Sequence, residues 1–118
     1  ARATGRSLSD LVAALPARFT AADRLQGVES ARAQAFLDTL IADPAARAAF
    51  FEPGPDAGPE AAVDLTDGLR VRYADGVILH LRPSGNAPEF RCYAEADSPG
   101  RAEALLALHL DRIAARLR

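Results

Sequence analysis

The chain has 118 residues, a length that suits one domain and lets roughly two-thirds of its unfolded surface be buried around a single core. Its 14 Lys and Arg against 16 Asp and Glu leave a net charge of -2, which excludes an overall positive field for gathering nucleic acid or an anionic membrane, so any anion site must be local. The single cysteine, Cys92, excludes an intrachain disulfide framework and a multi-thiolate metal site, and fits a reducing cytoplasm.

No apolar run approaches the roughly 18 residues that span a bilayer, and the first residues lack the basic, apolar and small-residue regions of a secretory signal. The expected location is cytoplasmic, with no membrane partner. The chain contains no methionine, so it is expected to be a piece of a longer protein.

In chain order, "GRSLSDLVAALPARF" pairs Ser7 with Asp10 at capping-box spacing and places Leu8, Leu11, Val12 and Leu15 at helical intervals until Pro16. "TAADRLQGV" breaks the period and reads as a connecting strand or linker, which puts a boundary between a terminal helix and hinge over residues 1–22 and a domain over residues 23–118. From Glu29 the helical period resumes at Ala31, Ala35, Phe36, Leu40 and Ile41. Asp43-Pro44 then starts a second short helix that runs to about Phe51.

The proline and glycine of "EPGPDAGPE" mark a loop, after which the texture changes to alternation. "VDLT", "LRVRY" and "VILHL" read as strands joined by Asp67-Gly68 and Asp75-Gly76, dipeptides that accept the positive φ of tight hairpin turns. Leu69, Val71 and Tyr73 share one face, as do Val77, Leu79 and Leu81; Arg70, Arg72, His80 and Arg82 fall on the other. A fourth strand, "FRCYAEA", alternates Phe90, Cys92, Ala94 and Ala96 with Arg91, Tyr93 and Glu95. Ser98 and Pro99 open a last helix with Ala102, Leu106, Leu110, Ile113 and Leu117 on one stripe. The predicted fold class is α+β: a four-stranded, mainly antiparallel sheet with helices packed on one face.

If the third and fourth strands form a hairpin, Arg82 leaves the sheet and Arg91 re-enters it on the same polar face. Two guanidiniums directed at one point repel each other unless an anion or a carboxylate lies between them, and their forked donors suit phosphate oxygens. Between them Ser84 offers a hydroxyl, Asn86 an amide, and Gly85 lets successive backbone N-H groups turn inward. Pro83 and Pro88 restrict the flanks and lower the entropy lost on gripping a ligand. The plainer alternative is an ordinary hairpin in which Arg91 pairs with Glu89 or Glu95 on the surface. Neither GxGxxG nor GxxxxGK[ST] occurs. His80, His109 and Cys92 read as packed side chains rather than metal ligands, proton shuttles or a nucleophile, with Cys92 on the core face. Tyr93 lies on the open face of the sheet.

"LRPSGNAPEFRCYAEA" resembles the C-terminal phosphate-binding loop of the α-D-phosphohexomutases, the phosphomannomutase and phosphoglucomutase family, whose usual form is R-P-S-G-T-E-P followed by a variable, a hydrophobic and a basic residue. The resemblance extends less sharply over residues 23–118, and the opening helix is similar to the end of the preceding domain in such enzymes. It implies a TATA-binding-protein-like C-terminal domain in which Arg82 and Ser84 bind the substrate's phosphate, Gly85 shapes the loop, Asn86 stands where threonine is usual, and Arg91 matches the basic residue. Ala87 removes the usual glutamate. The Asn-Ala variant resembles the bacterial phosphomannomutase/phosphoglucomutase branch more than the phosphoglucosamine one.

The implied reaction interconverts hexose 1-phosphate and 6-phosphate through a bisphosphorylated sugar, using a phosphoserine and Mg2+. The serine, metal and sugar loops of the family are not in this sequence, so no catalytic residue is assigned. Mg2+ is expected in the parent enzyme but not on this chain, which alone is expected to be inactive. The implied partners are mannose or glucose phosphates and the remaining domains of the parent, with no nucleic acid. The rival readings are an RNA-binding α+β sheet module, for which Arg70, Arg72, His80 and Tyr93 give thin support, and a structural dimerisation domain.

Overall fold

The computed structural model describes residues 18–84 and 88–117. The expected opening helix, and Gly85 and Asn86 of the loop, lie outside the described residues. Among those described, the order is β1 (Phe19–Gln26), α1 (Ser30–Ala42), α2 (Pro44–Phe50), β2 (Glu60–Asp64), β3 (Leu69–Tyr73), β4 (Ile78–Pro83), β5 (Glu89–Ala96) and α3 (Pro99–Leu117).

The two Asp-Gly dipeptides do what their chemistry predicts. Gly68 and Gly76 adopt φ of +79° and +98°, the left-handed region where a side chain is strained. Around Gly76 the ladder closes immediately, with Tyr73 N donating to Val77 O at 2.8 Å. The helix starts also follow their caps. Asp43 Oδ1 accepts from Ala45 N at 3.0 Å ahead of Pro44, and Ser98 Oγ accepts from Arg101 N at 3.2 Å ahead of α3.

The class is α+β as expected, but among the described residues the sheet has five antiparallel strands, ordered β1-β5-β4-β3-β2. The additional strand is β1, read from sequence as a connecting segment. All eight of its residues pair with β5, from Phe19 opposite Ala96 to Gln26 opposite Glu89. The sequence left it open between strand and linker because it is an edge strand: its core side reads Phe19, Ala21, Asp23 and Leu25, and only Leu25 is buried. Residues 22 and 23 both lie in this strand.

α3 packs on β1 and β5, and α1 on β4, so the helices cover one face and leave the other open. The buried side of the sheet is Leu69, Val71, Tyr73, Leu79, Leu81, Phe90, Cys92, Ala94 and Ala96, as alternation required. Phe36 from α1 meets Phe90 edge-on at 6.0 Å and Phe50 of α2 at 5.0 Å, joining both helices to the sheet. Burial pushes the Cys92 thiol up to about 12, so it packs as a small hydrophobe and stays protonated.

Two helix stripes are rotated from those expected. α1 buries Ala33, Phe36, Leu37 and Leu40, leaving Ala31 and Ala35 exposed. Leu37 is the larger apolar group, and burying it decides the rotation. In α3 the buried line is Ala102, Leu105, His109, Ile113 and Leu117, with Leu106 and Leu110 half-buried. A histidine thus occupies the centre of the stripe.

His109 is tolerated there because both ring nitrogens are paired. Nδ1-H donates to Leu105 O at 2.8 Å, and Nε2 accepts from Glu52 N at 3.1 Å. A carbonyl only accepts and an amide N-H only donates, so these partners fix the neutral Nδ1-H tautomer. Arg112 reinforces the join by donating to Phe50 O at 2.7 Å and Glu52 Oε1 at 2.8 Å. At the other side of α2, Arg47 is buried and bidentate on Glu60 at 2.9 and 3.0 Å, while its Nη1 caps the end of α1 through Leu40 O at 2.9 Å.

Burial, the largest influence, pushes the pKa of His109 below its ordinary 6.5; the Leu105 carbonyl and Glu52 oppose this, and Arg112 assists it. The unfolded chain then binds the proton more tightly, so the contribution of His109 is full above 6.5 and is lost as pH falls through the lower folded-state value. We predict that unfolding free energy from urea titrations declines between pH 7.5 and 5.5, and that His109→Leu flattens this dependence while lowering stability at neutral pH. A wild-type profile without slope across that interval would contradict the assignment.

Candidate functional site

The β4–β5 hairpin builds the site. Its ladder pairs Leu79 with Ala94, Leu81 with Cys92 and Arg82 with Arg91, and ends where Ser84 N donates to Glu89 O at 3.0 Å. Directly opposed residues share a face, so burying Leu81 and Cys92 commits Arg82 and Arg91, one position on, to the open side. The structure therefore brings Arg82, Ser84 and Arg91 together at the mouth of the loop. The second limb of the loop is held from the β1 side, where Val28 N donates to Pro88 O at 3.0 Å.

β1 contributes a cation that sequence reasoning missed. Arg24 stands opposite Arg91, so Arg24, Arg91 and Arg82 form one row across three adjacent strands. Recognising β1 as a strand was the only route to it, and its edge position hid the alternation.

Three neighbouring guanidiniums need counter-charges, and carboxylates of the chain supply them. Arg82 Nη1 pairs with Asp67 Oδ2 at 2.9 Å, and this hydrogen bond is the main cause that raises its pKa. Glu89 lies between the other two, 3.2 Å from Arg24 Nε and 3.8 Å from Arg91 Nη2. Glu95, the other candidate partner for Arg91, instead pairs with Arg18 at 3.2 Å. Arg91 Nε is buried and is the one side-chain N or O atom among the described residues recorded as buried without a hydrogen-bond partner. Unmet donor capacity is therefore concentrated on Arg91.

The aromatic residues beside this row restrict it further. Tyr93 lies under Arg82, with the guanidinium carbon 6.0 Å from the ring centroid, and His80 stacks obliquely on Tyr93 at 5.2 Å and 32°. His80 Nε2 meets the carbonyl of Asp67, which can only accept, so the proton is on that nitrogen. Asp67 thus holds Arg82 through its carboxylate and His80 through its backbone. A hollow of about 210 Å3 opens on the other flank, lined by Ala22, Asp23, Arg24, Arg91 and Tyr93.

The arrangement can bind an oxyanion through charge-assisted hydrogen bonds. It offers no general base poised on a nucleophile, and among the described residues no three His, Cys, Asp or Glu side chains gather as a metal site. No helix among the described residues is long and apolar enough to cross a membrane.

Comparison with known proteins decides the family. A model described as "Phosphoglucomutase/phosphomannomutase, C-terminal domain" matches residues 9–111. The chain belongs to the phosphoglucomutase/phosphomannomutase family. It is a phosphohexomutase C-terminal domain. A phosphomannomutase of Salmonella muenchen is 41% identical over 93 residues, covering 79% of this chain and 19% of that protein. A phosphomannomutase of Sinorhizobium fredii is 62% identical over 50 residues, 42% of this chain and 10% of its own length. Among solved structures, a phosphoglucomutase/phosphomannomutase family protein from Burkholderia thailandensis aligns over 92% of this chain and 19% of its own, at 26% identity and a TM-score of 0.48. The chain thus spans about a fifth or less of these family members.

Gly68 gives the site a testable support. A Cβ there would overlap the carbonyl oxygen of Leu81 and come within 3.1 Å of Arg82 Cα, at a φ that already disfavours a side chain. We predict that Gly68→Ala destabilises the fold by roughly 1–3 kcal/mol, in line with strained backbone positions, and shifts the Asp67 and Arg82 amide resonances. Denaturant unfolding equal to wild type, with an unchanged spectrum, would remove the turn from this role.

Proposed function

We propose that this domain anchors the phosphate of a hexose phosphate, with Arg82, Ser84, Gly85, Asn86 and Arg91 as the binding residues. The observation that supports this best is the cross-strand pair Arg82 and Arg91 at the mouth of the R-P-S-G-N-A-P loop, with the buried Nε of Arg91 lacking an acceptor. A phosphate dianion there replaces part of the internal ion pairing and supplies that acceptor. Ser84 and the Asn86 amide add neutral donors, in keeping with the family's loop.

The parent enzyme, on this reading, interconverts mannose or glucose 1- and 6-phosphates in the cytoplasm, with the Mg2+ held by other domains. A reaction whose intermediate carries two phosphates needs a fixed grip on the one that is not reacting. Binding energy from that remote group positions the reacting end and lowers its barrier. The family's phosphorylated serine and metal loop belong to the rest of the parent, so the 118-residue chain is an anchor without turnover.

The test is an amide NMR titration of the chain with mannose 6-phosphate and glucose 1-phosphate, with inorganic sulfate as the general anion. Resonances of residues 84–91 are expected to shift, and Arg82→Ala to weaken binding about ten-fold or more, as loss of a charged donor implies, with the remaining spectrum intact. Equal phosphate responses in mutant and wild type would overturn the assignment. Metal-dependent conversion of mannose 6-phosphate by the purified chain would overturn its role as anchor alone.

A further inference from the structure

The third arginine of the row is not explained by the loop. We infer that Arg24 is a further phosphate-binding residue, and that the hollow between β1 and β5 is the part of the site in which the phosphate monoester sits; this rests on the reading of the Arg82–Arg91 loop as a phosphate anchor.

The register supplies the first reason. Arg24 opposite Arg91, and Arg91 opposite Arg82, sit on adjacent strands about 4.8 Å apart, so a single dianion over the central strand is within reach of both outer guanidiniums. Charge supplies the second. Glu89 is one carboxylate shared by two cations, Arg24 and Arg91, and the pair keeps a net positive charge that Asp67, committed to Arg82, does not cancel.

Space and donors supply the third. The hollow of about 210 Å3 is bounded by these same two arginines, and Ala22 keeps its floor open. Its acidic lining residue, Asp23, stands opposite Cys92, one position off the Arg24–Arg91 pair, and its Oδ1 accepts from Arg24 N at 2.7 Å. Tyr93, braced by His80, gives the hollow an aromatic wall against which the carbon skeleton of a phosphate ester can lie. The unmet Nε-H of Arg91 completes a donor set that an oxyanion satisfies and a neutral ligand does not. On binding, the ligand takes over from Glu89 as the anion shared by Arg24 and Arg91.

The experiment follows arginine Nε-H signals and backbone amides of the 118-residue chain during titration with sulfate and mannose 6-phosphate. Because removing Arg24 also frees Glu89 to pair more closely with Arg91, the comparison is made in a Glu89→Gln background. There Arg24→Gln is expected to lower affinity about 3- to 10-fold, with Arg24→Lys recovering part of the loss, as for one charged contact. The Arg24 and Arg91 Nε-H signals should move together in wild type. Arg24 is half-exposed on an edge strand, and unchanged amide spectra before titration establish that the variants fold. If Arg82→Ala abolishes binding while Arg24→Gln stays within about two-fold of its background, the inference fails and the anchor reading stands. If the wild type itself does not respond, both fail.

Discussion

Everything about the site depends on the register of the β4–β5 hairpin. Side chains alternate across a strand with a period of two, so the pairing that seals Leu79, Leu81, Cys92 and Ala94 under the helices also places Arg82 beside Arg91 on the open face. A slip of one residue would bury two guanidiniums and expose the centre of the core. Core and site are consequences of a single pairing, and selection for one holds the other in place. The same register, carried across to β1, sets Arg24 in line.

Holding three like charges side by side is unfavourable unless something lies between them, and the protein uses its own carboxylates. Asp67 takes Arg82 and Glu89 is shared by Arg24 and Arg91. On the proposed function, binding of a phosphate is therefore an exchange of anions more than the filling of a bare cationic site. Such an exchange gains from the second charge of the dianion and from the unmet Nε-H of Arg91, but must first loosen existing pairs.

What was legible in the sequence was whatever rests on local chemistry. Asp67-Gly68 and Asp75-Gly76 marked turns because positive φ is a property of the glycine itself, and Asp43-Pro44 and Ser98-Pro99 marked helix starts because a cap bonds within its own turn. Strand alternation likewise gave the polar and apolar faces of β3, β4 and β5 correctly. Features that depend on distant partners stayed hidden. β1 has no clean alternation because its core side is barely covered, and the place of His109 at the centre of the α3 stripe depends on Glu52, far away in sequence. Arg47 resembles a surface residue in sequence yet is buried, and the packing expected of His109 gave no sign of its partner; the partners are 13 and 57 positions away in Glu60 and Glu52.

The placement of these features separates two mechanical parts. Arg82 and Arg91 are strand residues, and both limbs of their loop are tied down, one by the ladder at Ser84 and Glu89 and the other by Val28 on Pro88. The donors outside the loop tip therefore keep their spacing whatever the tip does, because moving them would cost ladder hydrogen bonds and buried apolar contacts. Adjustment to a ligand is left to side chains, chiefly the exchange of Asp67 and Glu89 for the incoming anion. Larger changes, such as opening a cleft between this domain and its neighbours in the parent, must then carry the arginine row as one body. On the proposed function, a row held in this way would keep its phosphate at a constant geometry, which is the property a remote binding group needs if its energy is to be used at the reacting end of a sugar.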